Sequence, residues 1–71
     1  MNEREHLAQA DRHIAECKAC IERQREVIRQ AEERGQATMW ARETLKTWEA
    51  SLRVFEAHRQ LILDQLKDVE Q

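Results

Sequence analysis

Two cysteines and two histidines in this sequence are spaced so that they could bind a metal ion. His13, Cys17 and Cys20 fall at positions i, i+4 and i+7, which share one face of a helix. His58 is expected to reach the same level from a second helix. Two thiolates with one or two imidazoles are typical ligands of a tetrahedral zinc ion. A small zinc-binding module built on these four residues is therefore one hypothesis for the function.

The same cysteines also fit a purely structural role. Cys17 lies on an apolar stripe, where cysteine is commonly a small buried hydrophobe. The Cys17-to-Cys20 spacing also matches a redox motif, but such a motif belongs at a helix N-terminus and this one lies in mid-helix. Ile21 follows Cys20, which excludes attachment of a c-type haem. We therefore expect no bound metal and no cofactor, and we keep the zinc module as the alternative.

No group of residues in the sequence indicates catalysis. We find no nucleophile placed beside a base, no phosphate-binding loop and no pair of carboxylates facing a cavity. A narrow helical bundle also offers little pocket volume. The chain is therefore expected not to be an enzyme.

The elements that position these residues are two long helices. The chain has 71 residues, of which 37% are charged and 41% apolar, with no proline and one glycine, a composition typical of long helices or coiled coil. A heptad stripe with alternating spacings of three and four runs through each half. In the first half it comprises Leu7, Ala10, Ile14, Cys17, Ile21, Gln24, Ile28 and Ala31. In the second half it comprises Thr38, Ala41, Leu45, Trp48, Leu52, Phe55, Arg59, Ile62, Leu66 and Val69.

Capping residues predict where the helices begin and end. Asn2 stands three residues before Glu5, as in a capping box, and Thr38 can cap the second helix. Gly35, the only glycine, follows the first stripe and suits a left-handed residue at a helix C-terminus. A connection this short predicts an all-α, coiled-coil-like antiparallel hairpin. The predicted bounds are about 3–34 for the first helix, 35–37 for the turn and 38–69 for the second helix.

If the turn is centred near Gly35, two residues face each other across the seam when their numbers add to about 69. Beyond Thr38 at its start, the second stripe is polar only at Arg59, and the first stripe is polar only at Gln24. Gln24 is expected to set the register, and Arg59 is expected to reach Asp11 near the open end of the hairpin. The predicted facing pairs are Ile28 with Ala41, Gln24 with Leu45, Ile21 with Trp48, Cys17 with Leu52, Ile14 with Phe55, Ala10 with Arg59, and Leu7 with Ile62.

Two helices that touch along one seam leave apolar side chains beside it uncovered. A chain of this length buries only a modest fraction of its surface, and no disulfide framework compensates. We therefore expect two copies to pair into a homodimeric four-helix bundle, with an unidentified protein partner also possible through Trp40. The predicted interface residues are His13, Cys20, Val27, Trp40, Trp48, Leu52, Val54, Phe55, His58, Leu61 and Ile62.

The charge of the chain disfavours some classes of partner. The net charge is -2, and both halves carry mixed signs without a basic stripe, so nucleic-acid binding is not expected. Neither a signal peptide nor an apolar run of membrane-spanning length is evident, which predicts a cytoplasmic protein that does not enter membranes.

The sequence resembles short uncharacterised bacterial proteins of helical-hairpin type. The resemblance is carried by the run Glu3-Arg4-Glu5-His6-Leu7-Ala8-Gln9-Ala10-Asp11-Arg12-His13-Ile14-Ala15-Glu16, by Gln24, by Gly35 with Thr38, and by Arg59-Gln60-Leu61-Ile62-Leu63. It implies the hairpin fold over nearly the whole chain and supplies no activity to carry over, and the pair Cys17 and Cys20 departs from it. A non-enzymatic structural or protein-interaction module is thus the expected function.

Overall fold

The computed structural model describes residues 2–70, apart from the side chains of Val69 and Glu70, and these residues form two α-helices. Helix α1 spans Glu3–Glu33 and helix α2 spans Met39–Glu70. The helices lie side by side in a ribbon of 57 × 16 × 14 Å. The predicted all-α hairpin is confirmed, and each observed helix boundary lies within one residue of its predicted position.

Both ends of α1 are capped by local hydrogen bonds. Asn2 has an extended backbone, and its side-chain Oδ1 accepts a hydrogen bond from the backbone N–H of Glu5 at 2.9 Å. At the other end the N–H of Gly35 donates to Glu32 at 3.0 Å, and the N–H of Gln36 donates to Ala31 at 2.8 Å. These two bonds form a Schellman motif, which requires the positive φ of 70° found at Gly35.

Helix α2 begins directly after Thr38. The Thr38 carbonyl accepts the first helical hydrogen bond, from the N–H of Arg42 at 2.9 Å, as expected of an N-cap residue. The Thr38 hydroxyl accepts a hydrogen bond from the Arg42 side chain at 3.0 Å. Arg42 in turn forms an ion pair with Glu32, so the start of α2 is tied to the end of α1.

The core is the seam between the two heptad stripes. Every described residue of both predicted stripes is buried or half-buried, whereas the side chain of Val69 lies outside the described part. The two helices contribute unequally, because α2 surrounds the small and branched side chains of α1 with larger ones that keep part of their surface exposed. The buried apolar residues are Ala10, Ile14, Cys17, Ile21 and Ile28 of α1 and Ile62 of α2.

Hydrogen bonds across the seam agree with the predicted register. The Gln24 side-chain amide donates to the Ala41 carbonyl at 2.9 Å, and the Cys17 thiol donates to the Trp48 carbonyl at 3.3 Å. A helical carbonyl points toward the C-terminus of its helix, so the Ala41 oxygen points toward Leu45 and the Trp48 oxygen toward Leu52. Leu45 and Leu52 are the residues predicted to face Gln24 and Cys17.

The predicted pair of Arg59 and Asp11 is confirmed, with 2.5 Å between Arg59 Nε and Asp11 Oδ1. Both partners retain substantial solvent exposure. Arg59 therefore extends its aliphatic stem along the seam and keeps its guanidinium at the surface.

Candidate functional site

One broad side of the ribbon, which we call the ion-pair face, is bridged by charges from both helices. Besides Arg59 with Asp11, the Arg25 Nη2 atom lies 3.7 Å from Glu49 Oε2, and Arg42 contacts Glu32. When the stripe residues are taken as the a and d positions of each heptad, the e positions of both helices of an antiparallel pair lie on the same side of the seam. Arg59 reaches this side from the stripe itself, and the other residues occupy e positions, namely Asp11, Arg25, Glu32, Arg42 and Glu49. The ion-pair face is thus closed by contacts within the hairpin itself.

The opposite side, which we call the open face, is formed by the c and g positions of each heptad. On α2 these positions alternate at spacings of four and three, and those from Trp40 to Gln65 include no Asp, Glu, Lys or Arg. The full series is Trp40, Thr44, Thr47, Ser51, Val54, His58, Leu61, Gln65 and, near the helix end, Asp68. On α1 the corresponding positions are His6, Gln9, His13, Glu16, Cys20, Arg23, Val27 and Gln30.

Large apolar side chains are exposed on this open face. Trp40 is 86% exposed, Val54 66% and Leu61 61%. On most protein surfaces exposed apolar residues are scattered singly, whereas these three lie on one face. Half-buried Trp48 and Phe55 lie beneath them. The open face therefore combines exposed apolar side chains with a near absence of charge.

Two shallow grooves indent the open face. One, of about 190 Å³, lies between the helices and is lined by His13, Glu16, Cys17, Cys20, Trp48 and Phe55. The other, of about 380 Å³, lies on α2 and is lined by Thr47, Ala50, Ser51, Val54 and Phe55. Both grooves are of a size that a side chain from another helix fills, since knobs enter holes formed by four residues.

The predicted zinc ligands are only partly brought together. His13, Cys17 and Cys20 line the first groove, and the His13 ring contacts Phe55 at a tilt of 45° with 5.6 Å between centroids. His58 is exposed and does not line this groove. Within residues 2–70 no three His, Cys, Asp or Glu side chains are grouped so that they could hold a metal ion. The described hairpin therefore offers no preformed site for the zinc hypothesis.

The chemistry of Cys17 also favours a structural role. Its thiol is 2% exposed and donates a hydrogen bond to the Trp48 carbonyl. Burial raises the pKa of the Cys17 thiol, and the negative charges of Cys20 and Glu56 raise this pKa further. A cysteine binds zinc as a thiolate, and the raised pKa favours the protonated thiol of Cys17, which does not bind. Cys20 is half-buried and accepts a hydrogen bond from Arg23 at 3.1 Å.

Two predicted interface residues lie elsewhere than on the open face. Leu52 lines a groove of about 500 Å³ on the ion-pair face, together with charged residues of both helices. Ile62 is 3% exposed, so the hairpin itself already buries it. The structure places the other predicted interface residues on the open face or directly beneath it. The residues predicted for the interface did not include Thr47, Glu16 and Arg23, although a helical-wheel projection also places these three on the open face.

No protein-family model, curated protein or solved structure matches this chain. The resemblance to bacterial helical-hairpin proteins therefore remains a prediction.

Neither helix, over the residues that the structure describes, has a stretch apolar enough to cross a bilayer.

Proposed function

We propose that this protein is a non-enzymatic interaction module that works as a homodimer, in which two hairpins stack through their open faces into a four-helix bundle. The observation that carries this proposal is the open face of α2, which is uncharged from Trp40 to Gln65 and exposes Trp40, Val54 and Leu61. Water-exposed apolar side chains grouped on one face are typical of a surface that binds another protein.

The size of the open face supports such a dimer. A ribbon 57 Å long and 16 Å wide presents about 900 Å² on one side, close to the ~800 Å² per partner of a standard protein interface. Full burial of a large apolar side chain contributes about 1.5–3 kcal/mol. Trp40, Val54 and Leu61 would gain most of this amount, and Trp48 and Phe55 part of it. These gains are of the size needed to offset the entropy lost on association.

The ion-pair face stays outward in this bundle and is available to a further protein. Its groove is lined mainly by charged residues, and Met39, which is 74% exposed, stands at the turn end. We propose that the dimer presents these surfaces to an unidentified protein partner in the cytoplasm. The reduced state of Cys17 and Cys20 agrees with that compartment.

Sedimentation equilibrium over micromolar concentrations tests the dimer. The wild-type chain is expected to sediment with twice the mass of one hairpin. Val54→Glu is expected to give a monomer that keeps its helical circular dichroism, because Val54 is 66% exposed in the hairpin but would be covered in the dimer. Gln60→Glu is the matched control, since it adds the same charge on the ion-pair face, where Gln60 lines a groove with Asp11 and Arg59, and it should remain dimeric. A monomeric wild-type chain would refute the proposal.

A further inference from the structure

We propose that the two hairpins pair in opposite directions, about a two-fold axis that crosses the ribbon at the level of Cys20 and Ser51. Helix α1 then lies antiparallel on α1 of the second copy, and α2 lies antiparallel on α2. This inference rests on the proposed dimer and adds its orientation, its register and the residue pairs that specify them.

The charged residues of the open face on α1 favour this arrangement. The outer row of α1 is Gln9, Glu16, Arg23 and Gln30, spaced by seven. Reversing this row about its midpoint, between residues 19 and 20, places Glu16 of one copy opposite Arg23 of the other, twice by symmetry. Within the described residues neither Glu16 nor Arg23 belongs to an ion pair. Each is therefore available to an oppositely charged partner from the second copy.

The outer row of α2 is matched in the same register by size and hydrophobicity. This row is Trp40, Thr47, Val54, Leu61 and Asp68, again spaced by seven. Reversal about the point between residues 50 and 51 places Trp40 against Leu61 of the second copy and Thr47 against Val54, and it leaves Asp68 beyond the end of the contact. The largest side chains then meet at the two ends of the contact. The groove lined by Thr47, Ala50, Ser51 and Val54 lies at its centre, where small residues allow close approach of the helices.

A single axis acts on both rows because positions 19.5 on α1 and 50.5 on α2 lie at the same level of the hairpin. These positions add to 70, as do the numbers of Asp11 and Arg59, which are in direct contact. The axis that the pairing of Glu16 with Arg23 defines on α1 therefore also fixes the facing residues on α2.

Other arrangements of two copies lose these matches. An axis along the length of the ribbon places α1 of the second copy on α2, which sets Val54 close to Glu16 and Leu61 close to Gln9. Moving the crossing axis by half a heptad sets Glu16 against Glu16 or Arg23 against Arg23, and such like-charge contacts disfavour a register. Among these arrangements, the central antiparallel register alone pairs Glu16 with Arg23 and also sets Trp40 against Leu61.

The central register also covers most of the open face. It leaves only the segment after residue 65 outside the contact, so about 45 Å of the ribbon overlaps at a rise of 1.5 Å per residue. With the ribbon width of 16 Å the footprint is about 700 Å² on each copy, comparable to a standard interface of ~800 Å² per partner.

Charge reversal tests the pairing of Glu16 with Arg23. Glu16→Arg and Arg23→Glu alone should each weaken the dimer about tenfold or more in sedimentation equilibrium, because each creates two like-charge contacts. The double variant E16R/R23E should restore the dissociation constant to within about threefold of wild type, since it exchanges the partners without removing the pairs. Arg53→Glu, on the ion-pair face, is the matched control and should leave the dimer unchanged. Circular dichroism verifies that each variant keeps its helices.

Disulfide trapping tests the register independently, in a Cys20→Ala background. Oxidised glutathione, which accepts the two electrons and becomes two reduced thiols, should link T47C/V54C into a covalent dimer. T47C or V54C alone should link poorly, because its two copies would lie seven residues, about 10 Å, apart along the helices, beyond the ~7 Å reach of a disulfide.

The two proposals fail in different ways. A monomeric wild-type chain would overturn the dimer and this inference together. A wild-type dimer in which E16R/R23E is no tighter than the single variants, or in which T47C/V54C does not link, would overturn the orientation alone.

Discussion

At the scale of single residues, Gly35 has the most clearly defined role in the hairpin. Its φ of 70° lies in the left-handed region, and nothing lies within 4 Å of the position that a Cβ atom would take. A side chain at this position would therefore meet no steric obstacle from its surroundings. Its cost would come from the backbone conformation alone.

We expect Gly35→Ala to lower the free energy of unfolding by about 1 kcal/mol. The left-handed conformation costs a residue with a Cβ atom about 1–2 kcal/mol, and the smaller entropy of the unfolded alanine chain offsets part of that. Urea unfolding at one fixed protein concentration measures the change. Gln36→Ala is the control, because Gln36 contributes a backbone N–H to the same motif and its side chain is exposed. Equal stability of Gly35→Ala and wild type would contradict this account of the turn.

At the scale of the helices, the polar interruptions of the seam differ in character. Gln24 is half-buried, and its amide bonds to the backbone carbonyl of Ala41, so removing that amide leaves this half-buried carbonyl with its helical hydrogen bond alone. The side chain of Arg59 is 37% exposed and that of Asp11 53%, and ion pairs this exposed contribute only about 0–1 kcal/mol. Arg59 thus occupies a seam position at which an apolar residue would bury more surface.

We therefore expect Arg59→Leu to raise the free energy of unfolding, by about 1 kcal/mol, because the gain from burying leucine exceeds the loss of a weak ion pair. Urea unfolding at fixed protein concentration again measures the effect. Arg12→Leu makes the same chemical change on the exposed surface of α1 and should bring no gain. If Arg59→Leu proved less stable than wild type, the pair with Asp11 would be stronger than its exposure indicates.

At the scale of the whole molecule, the hairpin could be predicted from the sequence because one pattern repeats along its length. The stripe from Leu7 to Leu66, the cap at Asn2 and the turn at Gly35 all indicate the same fold, and local signals that agree are sufficient for two helices. The faces were harder to predict. A heptad stripe identifies the residues of the seam. It does not show directly on which broad side of the ribbon a half-buried seam residue is exposed, and Leu52 is exposed on the ion-pair face.

The zinc hypothesis shows a second limit of sequence reasoning. Spacing places His13, Cys17 and Cys20 on one side of α1, but it does not show that the Cys17 thiol is engaged by the Trp48 carbonyl across the seam. It also does not show that His58 lies away from their groove. Both facts depend on how far α2 is rotated about its own axis, which heptad spacing defines only approximately.

The hairpin shape has a kinetic consequence. The contacts across the seam join residues that are 10, 17, 31 and 48 positions apart, in steady order from the turn to the open end. Each contact made near the turn shortens the loop that the next one must close, so folding is expected to proceed like a zipper from Gly35 outward.

Opening should follow the reverse path, and native-state hydrogen exchange measures it. The amides of Ile28 and Leu45, near the turn, should exchange only when the whole hairpin unfolds, whereas those of Asp11 and Ile62 should exchange earlier through fraying. Uniform protection along both helices would show instead that the ribbon opens as one unit. A gradient of protection would mean that one continuous seam stays closed longer at its turn end than at its open end.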